Sequence, residues 1–219
     1  GTGIYFLTDR DNEFQRLEVM DLKSKKINYI TSDIPWDVDG YTMTKDRKSM
    51  AFTTNEAGLN RLYLLDPTTL KYKAVDGLDI GTLGGMALSK DGKSLFFTQG
   101  TAKMSSDVYR LDVASGKTER WTQSELGGIQ ESDISSPKAI EWKSFDGMKI
   151  TGFYYPAATK FTGKRPVMIN IHGGAEGQSM ASFLGASNYF TNEMGVALIF
   201  PNVRGSSGFG KTYLAKDNG

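Results

Sequence analysis

The sequence predicts β-propeller blades followed by the N-terminal part of an α/β sheet, and three observations predict it. A pattern of short apolar strands recurs with a period in the mid-forties. A polar, turn-rich stretch then ends the repeat. Beyond it the pattern changes to two nearly continuous apolar strands separated by a helix-sized segment.

The repeat has three anchors. A strand ending in aspartate closes on Asp21, Asp66 and Asp112, which stand 45 and 46 residues apart. Five residues beyond each aspartate is a lysine (Lys26, Lys71, Lys117), and four further on a large apolar residue (Ile30, Val75, Trp121). Short β segments at such a period are the signature of propeller blades. The first copy begins at its second strand, 4–7. The second is complete: an inner strand over 38–43, a turn at Lys45-Asp46-Arg47-Lys48, then strands over 50–54, 61–65 and 72–75. The third repeats this from Thr82, turning at Asp91-Gly92-Lys93. Residues 1–126 are therefore expected to form about two and a half blades. A blade buries its faces only against neighbours, so open blade faces and an incomplete sheet predict poor solubility, or a homo-oligomer formed through those faces.

Residues 127–137, Gly127 through Pro137, read as a linker. Residues 138–219 follow a different pattern. An alternating hairpin over 139–145 and 149–155 turns at Asp146-Gly147. Residues 166–171 form an apolar run of the kind buried on both faces. A helix is expected over 187–194, ended by Gly195, and 196–200 forms a second buried strand. Strand, helix and strand make a parallel crossover.

Composition narrows the chemistry. The 219 residues carry a formal net charge of +1, with 39% hydrophobic and 23% charged residues. No charge excess draws the chain to nucleic acid or an anionic membrane, and no apolar run is long enough to span a bilayer. With no cysteine, disulfides and thiolate chemistry are excluded, and a single histidine, His172, makes no zinc site of the usual kind. No cofactor is called for.

The chemically suggestive residues cluster late in the chain. His172-Gly173-Gly174 ends the first apolar strand, and ligands bind off the carboxyl ends of strands in such sheets. Paired glycines let backbone N–H groups approach a substrate, and in α/β-hydrolases this loop supplies an oxyanion donor. Asn170-Ile171-His172-Gly173-Gly174, Glu176-Gly177-Gln178 and the run from Phe200 to Gly210 (F-P-N-V-R-G-S-S-G-F-G) strongly resemble the prolyl oligopeptidase family of serine peptidases, nearest its bacterial dipeptidyl and acylaminoacyl peptidase-like members. That family joins a propeller to an α/β-hydrolase domain in the same order. The resemblance implies acyl transfer through a serine nucleophile on short peptides, with the propeller limiting substrate size. It implies an oxyanion loop at His172, Gly173 and Gly174, and a mainly structural role near the site for Arg204. It leans toward a periplasmic rather than a cytoplasmic location. The family usually has proline after His-Gly-Gly; this chain has Ala175, which leaves φ free.

The Ser-Asp-His triad is not expected within this chain. Gly177-Gln178-Ser179-Met180-Ala181 has the outline of a nucleophile elbow, but no buried strand runs into it, and His172 precedes it, against the family order. Residues 1–219 alone are therefore expected to be inactive. Three other readings stand beside this one. A carboxylesterase also uses a His-Gly-Gly loop. Propellers serve as non-catalytic binding modules. Residues 205–212, Gly205 to Thr212, fit the phosphate-binding pattern G-x-x-x-x-G-K-[ST], with Lys211 and Thr212 in the key positions. Asp9, Asp11 and Glu13 mimic the start of a calcium loop but lack its glycine and final glutamate, and read as a solvated turn. Trp36-Asp37 is expected to pack between blades.

Overall fold

A computed structural model describes residues 3–174 and 176–217. Strands β1 (Gly3–Thr8), β2 (Arg16–Asp21) and β3 (Ile27–Tyr29) form a three-stranded antiparallel sheet. Strands β4 (Asp37–Met43), β5 (Met50–Glu56), β6 (Leu59–Leu65) and β7 (Tyr72–Ala74) form a four-stranded meander. Strands β8 (Gly81–Leu88), β9 (Ser94–Thr101), β10 (Met104–Asp112) and β11 (Thr118–Arg120) form another. The three antiparallel sheets recur at the expected period and match a propeller-like region.

The repeat has a local chemical cause. At each anchoring aspartate the backbone N–H bonds the carbonyl of the lysine five residues on, at 2.9 Å in all three copies: Asp21 to Lys26, Asp66 to Lys71, Asp112 to Lys117. The aspartate side chain accepts from the turn it spans: from Ser24, from Thr68 and Thr69, and from Ser115. These bonds hold the three carboxyls below the usual carboxylate range. The fourth residue past each aspartate adopts positive φ: Lys25 at 60°, Leu70 at 57°, Gly116 at 73°. The lysine spacing thus records a turn closed by its main chain. The apolar residue nine past the aspartate extends the ladder, as Ile30 N–H bonds Leu17, Val75 bonds Leu62 and Trp121 bonds Val108.

Alternation along β5 shows why a blade depends on its neighbours. Met50 and Phe52 face one way, into a core with Val38 of their own sheet and with Leu17 and Ile30 from the preceding one. Ala51 faces the other way, into a core with Leu95, Phe97 and Leu111 from the following one. Phe52 stacks on Tyr63 at 4.8 Å and meets Tyr72 edge-on at 5.3 Å. Trp36 packs against this first core as expected, touching Phe14 and also Phe209 from the far end of the chain, each at 6.2 Å.

Residues 127–137 contain one 3-10 turn (Glu131–Asp133). Arg120 ties this stretch to the last blade, bonding buried Asp107 at 2.7 Å and Glu131 at 3.4 Å. Strands β12 (Lys138–Lys143) and β13 (Lys149–Tyr155) form the hairpin, joined by β14 (Val167–Ile169) and β15 (Ala197–Asn202) in the order β12-β13-β15-β14. Among the described residues only β14 and β15 pair in parallel. Helix α1 (Asn188–Asn192) links them, shorter than expected because a 3-10 turn (Gly185–Ser187) takes up its start; Gly195 ends the connection at φ 65°.

Two expectations are corrected here. The run 166–171 is not buried on both faces: Val167 is 51% exposed, Ile169 61% and Ile171 60%. The cause is position, for β14 is the sheet's edge and pairs only with β15 among the described residues. Phe145 lies outside the hairpin strand, almost fully exposed at its turn.

Candidate active site

The chain leaves β14 through Asn170, whose N–H still bonds Ile199 on β15 at 2.8 Å. It then opens into His172, Gly173 and Gly174, with both glycines exposed and Gly174 at φ 74°. Neither glycine N–H donates to another described residue. Ala175 lies outside the described residues, so the effect of its replacing proline has no structural account here. Two N–H groups at a strand's carboxyl edge, without a partner among the described residues, are suited to holding an oxygen that gains negative charge.

The loop is held from beneath. His172 Nε2 lies 2.8 Å from the hydroxyl of Ser206, which is fully buried. Gly177 sits so close that a Cβ there would stand 2.8 Å from the Gly173 carbonyl and 3.0 Å from His172 Nδ1. The Gly177 carbonyl accepts from the Ser207 amide at 3.1 Å. Loop 172–178 and loop 203–208 are thus one bonded unit.

Ser179 is buried at 8% exposure, and its hydroxyl donates to the Pro201 carbonyl at 3.2 Å. Asn202 bonds both its amide and its carbonyl, at 2.7 and 3.1 Å. This serine is a structural tie.

Arg204 turns away from the glycines. Its guanidinium pairs with Asp146 in the hairpin turn and lies over the Phe145 ring at 4.9 Å. The hydrogen bond from Arg204 lowers the Asp146 carboxyl to about 2. It couples the hairpin to the end of β15, 58 residues away in sequence.

The blades dock onto this unit. Asn55, at the tip of the β5–β6 hairpin, exchanges amide hydrogen bonds with Gln178, at 2.6 and 3.3 Å. Gly208, at φ 80°, covers the pair; a Cβ there would stand 2.8 Å from Asn55 Nδ2. At the β1–β2 loop Glu13 accepts from the Thr212 amide at 2.7 Å and its hydroxyl at 2.9 Å, and Lys211 Nζ reaches the Asp9 carbonyl. Asp9, Asp11 and Glu13 are all exposed in the loop between β1 and β2, as expected, and Asp9 and Glu13 in addition bond Lys211 and Thr212. The same bonds occupy both key side chains of the phosphate-binding pattern. The helix that follows it, α2 (Lys211–Leu214), is only four residues long. Beside these contacts lies a polar crevice of about 300 Å³ that includes Asp37, Asp39 and Lys211. Removal from bulk water, with Asp37 alongside and an Asn60 hydrogen bond acting the other way, raises the Asp39 carboxyl to about 6. Among the described residues no group of histidines and acids is arranged to hold a metal ion.

Sequence reasoning found the glycine loop and Arg204 but missed Ser206, the Asn55–Gln178 pair and the role of Glu13. Ser206 read as loop, Gln178 stood out only as part of the motif Glu176-Gly177-Gln178 and Glu13 only as a turn residue, so their partners carried no signal.

No family model matches the chain. Prolyl oligopeptidase A of Amanita bisporigera is 22% identical over 223 residues, an alignment covering 97% of this chain and 28% of that protein. An uncharacterised peptidase of Bacillus subtilis, YuxL, is 22% identical over 172 residues, covering 78% of this chain and 26% of that one. A solved puromycin hydrolase superposes with a TM-score of 0.82 at 18% identity, covering 97% of this chain and 33% of that structure. The relatives of this chain are prolyl oligopeptidase family peptidases. This chain spans about a third or less of the prolyl oligopeptidase relatives it matches. It is similar to them across propeller-like and sheet-forming regions alike, since almost its whole length superposes.

Proposed function

We propose that this chain is part of a serine peptidase that cleaves short peptides by acyl transfer, and that the Gly173 and Gly174 amides hold the oxyanion. The observation that carries this reading is the pair of N–H groups, without a partner among the described residues, on a braced loop at the carboxyl end of β14. When the attacked carbonyl becomes tetrahedral its oxygen gains charge, and fixed donors stabilise that state more than the ground state. Nucleophile, base and orienting acid are then supplied from outside residues 1–219, because Ser179 is buried and bonded and His172 is tied to Ser206. Arg204 supports the loop at one remove, through Asp146. Residues 1–126 serve as propeller, 127–137 as linker and 138–219 as the start of the catalytic domain. The partner is a short peptide; neither nucleic acid nor membrane is called for. Among the described residues no helix is long and apolar enough to cross a membrane.

The test uses the protein with all the sequence its gene encodes. Chromogenic short-peptide anilides and aryl esters of long acids are assayed side by side, with fluorophosphonate labelling to find the serine. Peptide turnover with label on a serine beyond Gly219 is expected. Ester turnover without peptide turnover would replace this reading with a carboxylesterase, and label on Ser179 would overturn the assignment of the site.

A further inference from the structure

The His172 ring is gripped on both edges, and the grip decides where its proton sits. Ser206 Oγ lies 2.8 Å from His172 Nε2 and 2.6 Å from the Val203 carbonyl oxygen. A carbonyl oxygen only accepts, and two oxygens at that distance require a hydrogen between them. Ser206 has a single hydroxyl hydrogen, which points at Val203. Its oxygen can therefore meet Nε2 only as an acceptor, so Nε2 carries the proton. The serine cannot swing away, because it is fully buried and its own amide also bonds Val203, at 3.0 Å. On the opposite edge Nδ1 lies 3.4 Å from the Gly173 carbonyl oxygen, a longer contact than the one Nε2 makes with Ser206, and the Gly177 backbone packs beside it, where a Cβ would stand 3.0 Å from Nδ1.

We propose that Ser206 is a positioning residue for the acyl-transfer site. It holds His172 in the Nε2–H tautomer and in one orientation, and through that ring it fixes the directions of the Gly173 and Gly174 N–H groups. The proposal rests on the oxyanion reading of that loop. It makes His172 a strut: its one ring proton stays at Nε2, engaged with Ser206, and takes no part in proton transfer to substrate.

The test again uses the full gene product, labelled with ¹⁵N-histidine, with the His172 resonances assigned by their loss in His172→Gln. In the wild type the ring is expected as the Nε2–H tautomer. In Ser206→Ala it should become a mixture, while kcat falls about ten- to hundredfold with KM little changed, since a misplacement of about 1 Å can cost that much. Ser206→Thr, which keeps the hydroxyl, should restore both. An Nδ1–H tautomer in the wild type would overturn the proposal, as would a Ser206→Ala protein with unchanged tautomer and kcat. If Ser206→Ala fails to fold, His172→Gln and His172→Leu carry the test. The glutamine amide can still donate to Ser206 and should retain more kcat than leucine; equal loss overturns the proposal. Absence of peptidase activity would sink the functional reading, whereas the tautomer measurement still judges Ser206.

Discussion

Arg204 and Asp146 form a pair whose energetic role depends on pH in a defined direction. Asp146 has its folded-state value lowered to about 2, first by the Arg204 hydrogen bond and then by the Met148 amide. An unperturbed aspartate titrates near about 3.9. A lowered folded value means that the group stabilises the fold fully above about pH 4 and loses that contribution as pH falls through about 2. Asp146→Asn should therefore lower Tm by a constant amount at neutral and mildly acidic pH, and the gap from wild type should close as pH approaches about 2. Thermal scans across pH measure this; a gap unchanged down to the lowest pH would show that the charge is not the cause. The sequence pointed to Arg204 as a residue near the site and to Asp146 as a turn residue, but nothing in it joined them. Pairing over that distance depends on where β13 and β15 run, which no local pattern encodes.

The elements of the blades were the most legible part. Their turns are closed by aspartate side chains acting over two or three residues, so the chemistry that shapes them is written at fixed spacing. Strand β14 was misread for the opposite reason. An apolar run says that a strand can be buried, but burial is conferred by its neighbours, and among the described residues β14 has one. The contrast can be measured. Phe52 is fully buried between two tyrosine rings, so Phe52→Ala should destabilise the protein by about 3–5 kcal/mol. Ile169→Ala on exposed β14 should cost under about 0.5 kcal/mol in an isolated 219-residue chain. Urea unfolding of both variants gives the comparison. A large loss at Ile169 would mean that the strand is covered in solution.

At the scale of the whole molecule, polar side chains join the blades to the mixed sheet alongside apolar contacts, with Ala102 and Leu59 packed in the cluster of Phe153 and Leu198, and Trp36 against Phe209. Asn55 meets Gln178, Glu13 meets Thr212, and Asp9 meets Lys211. Removing one amide of a paired couple leaves the other short of a partner, which costs about 1–3 kcal/mol. Asn55→Ala should therefore loosen the hairpin tip from the loop it supports. The Ala181 amide, which bonds the Gly58 carbonyl at 3.3 Å, reports on this. Its hydrogen exchange should speed up about tenfold or more, while amides in the β9–β10 ladder keep their rates. Equal acceleration everywhere would indicate global destabilisation instead. None of these polar contacts was legible, because each joins polar residues more than a hundred positions apart, and a polar residue in a turn looks the same whether it meets water or another domain.

That separation has a consequence for how the protein is made. Asn55 precedes Gln178 by 123 residues, and Glu13 precedes Thr212 by 199. At about 5–20 residues per second of synthesis, roughly 6–25 s pass between emergence of the hairpin tip and of the loop it clasps. The blades form within themselves by short-range pairing, so they stand assembled while the later strands are still being added. The glycine loop then folds against a surface already in place, and the order of translation becomes part of how the site acquires its shape.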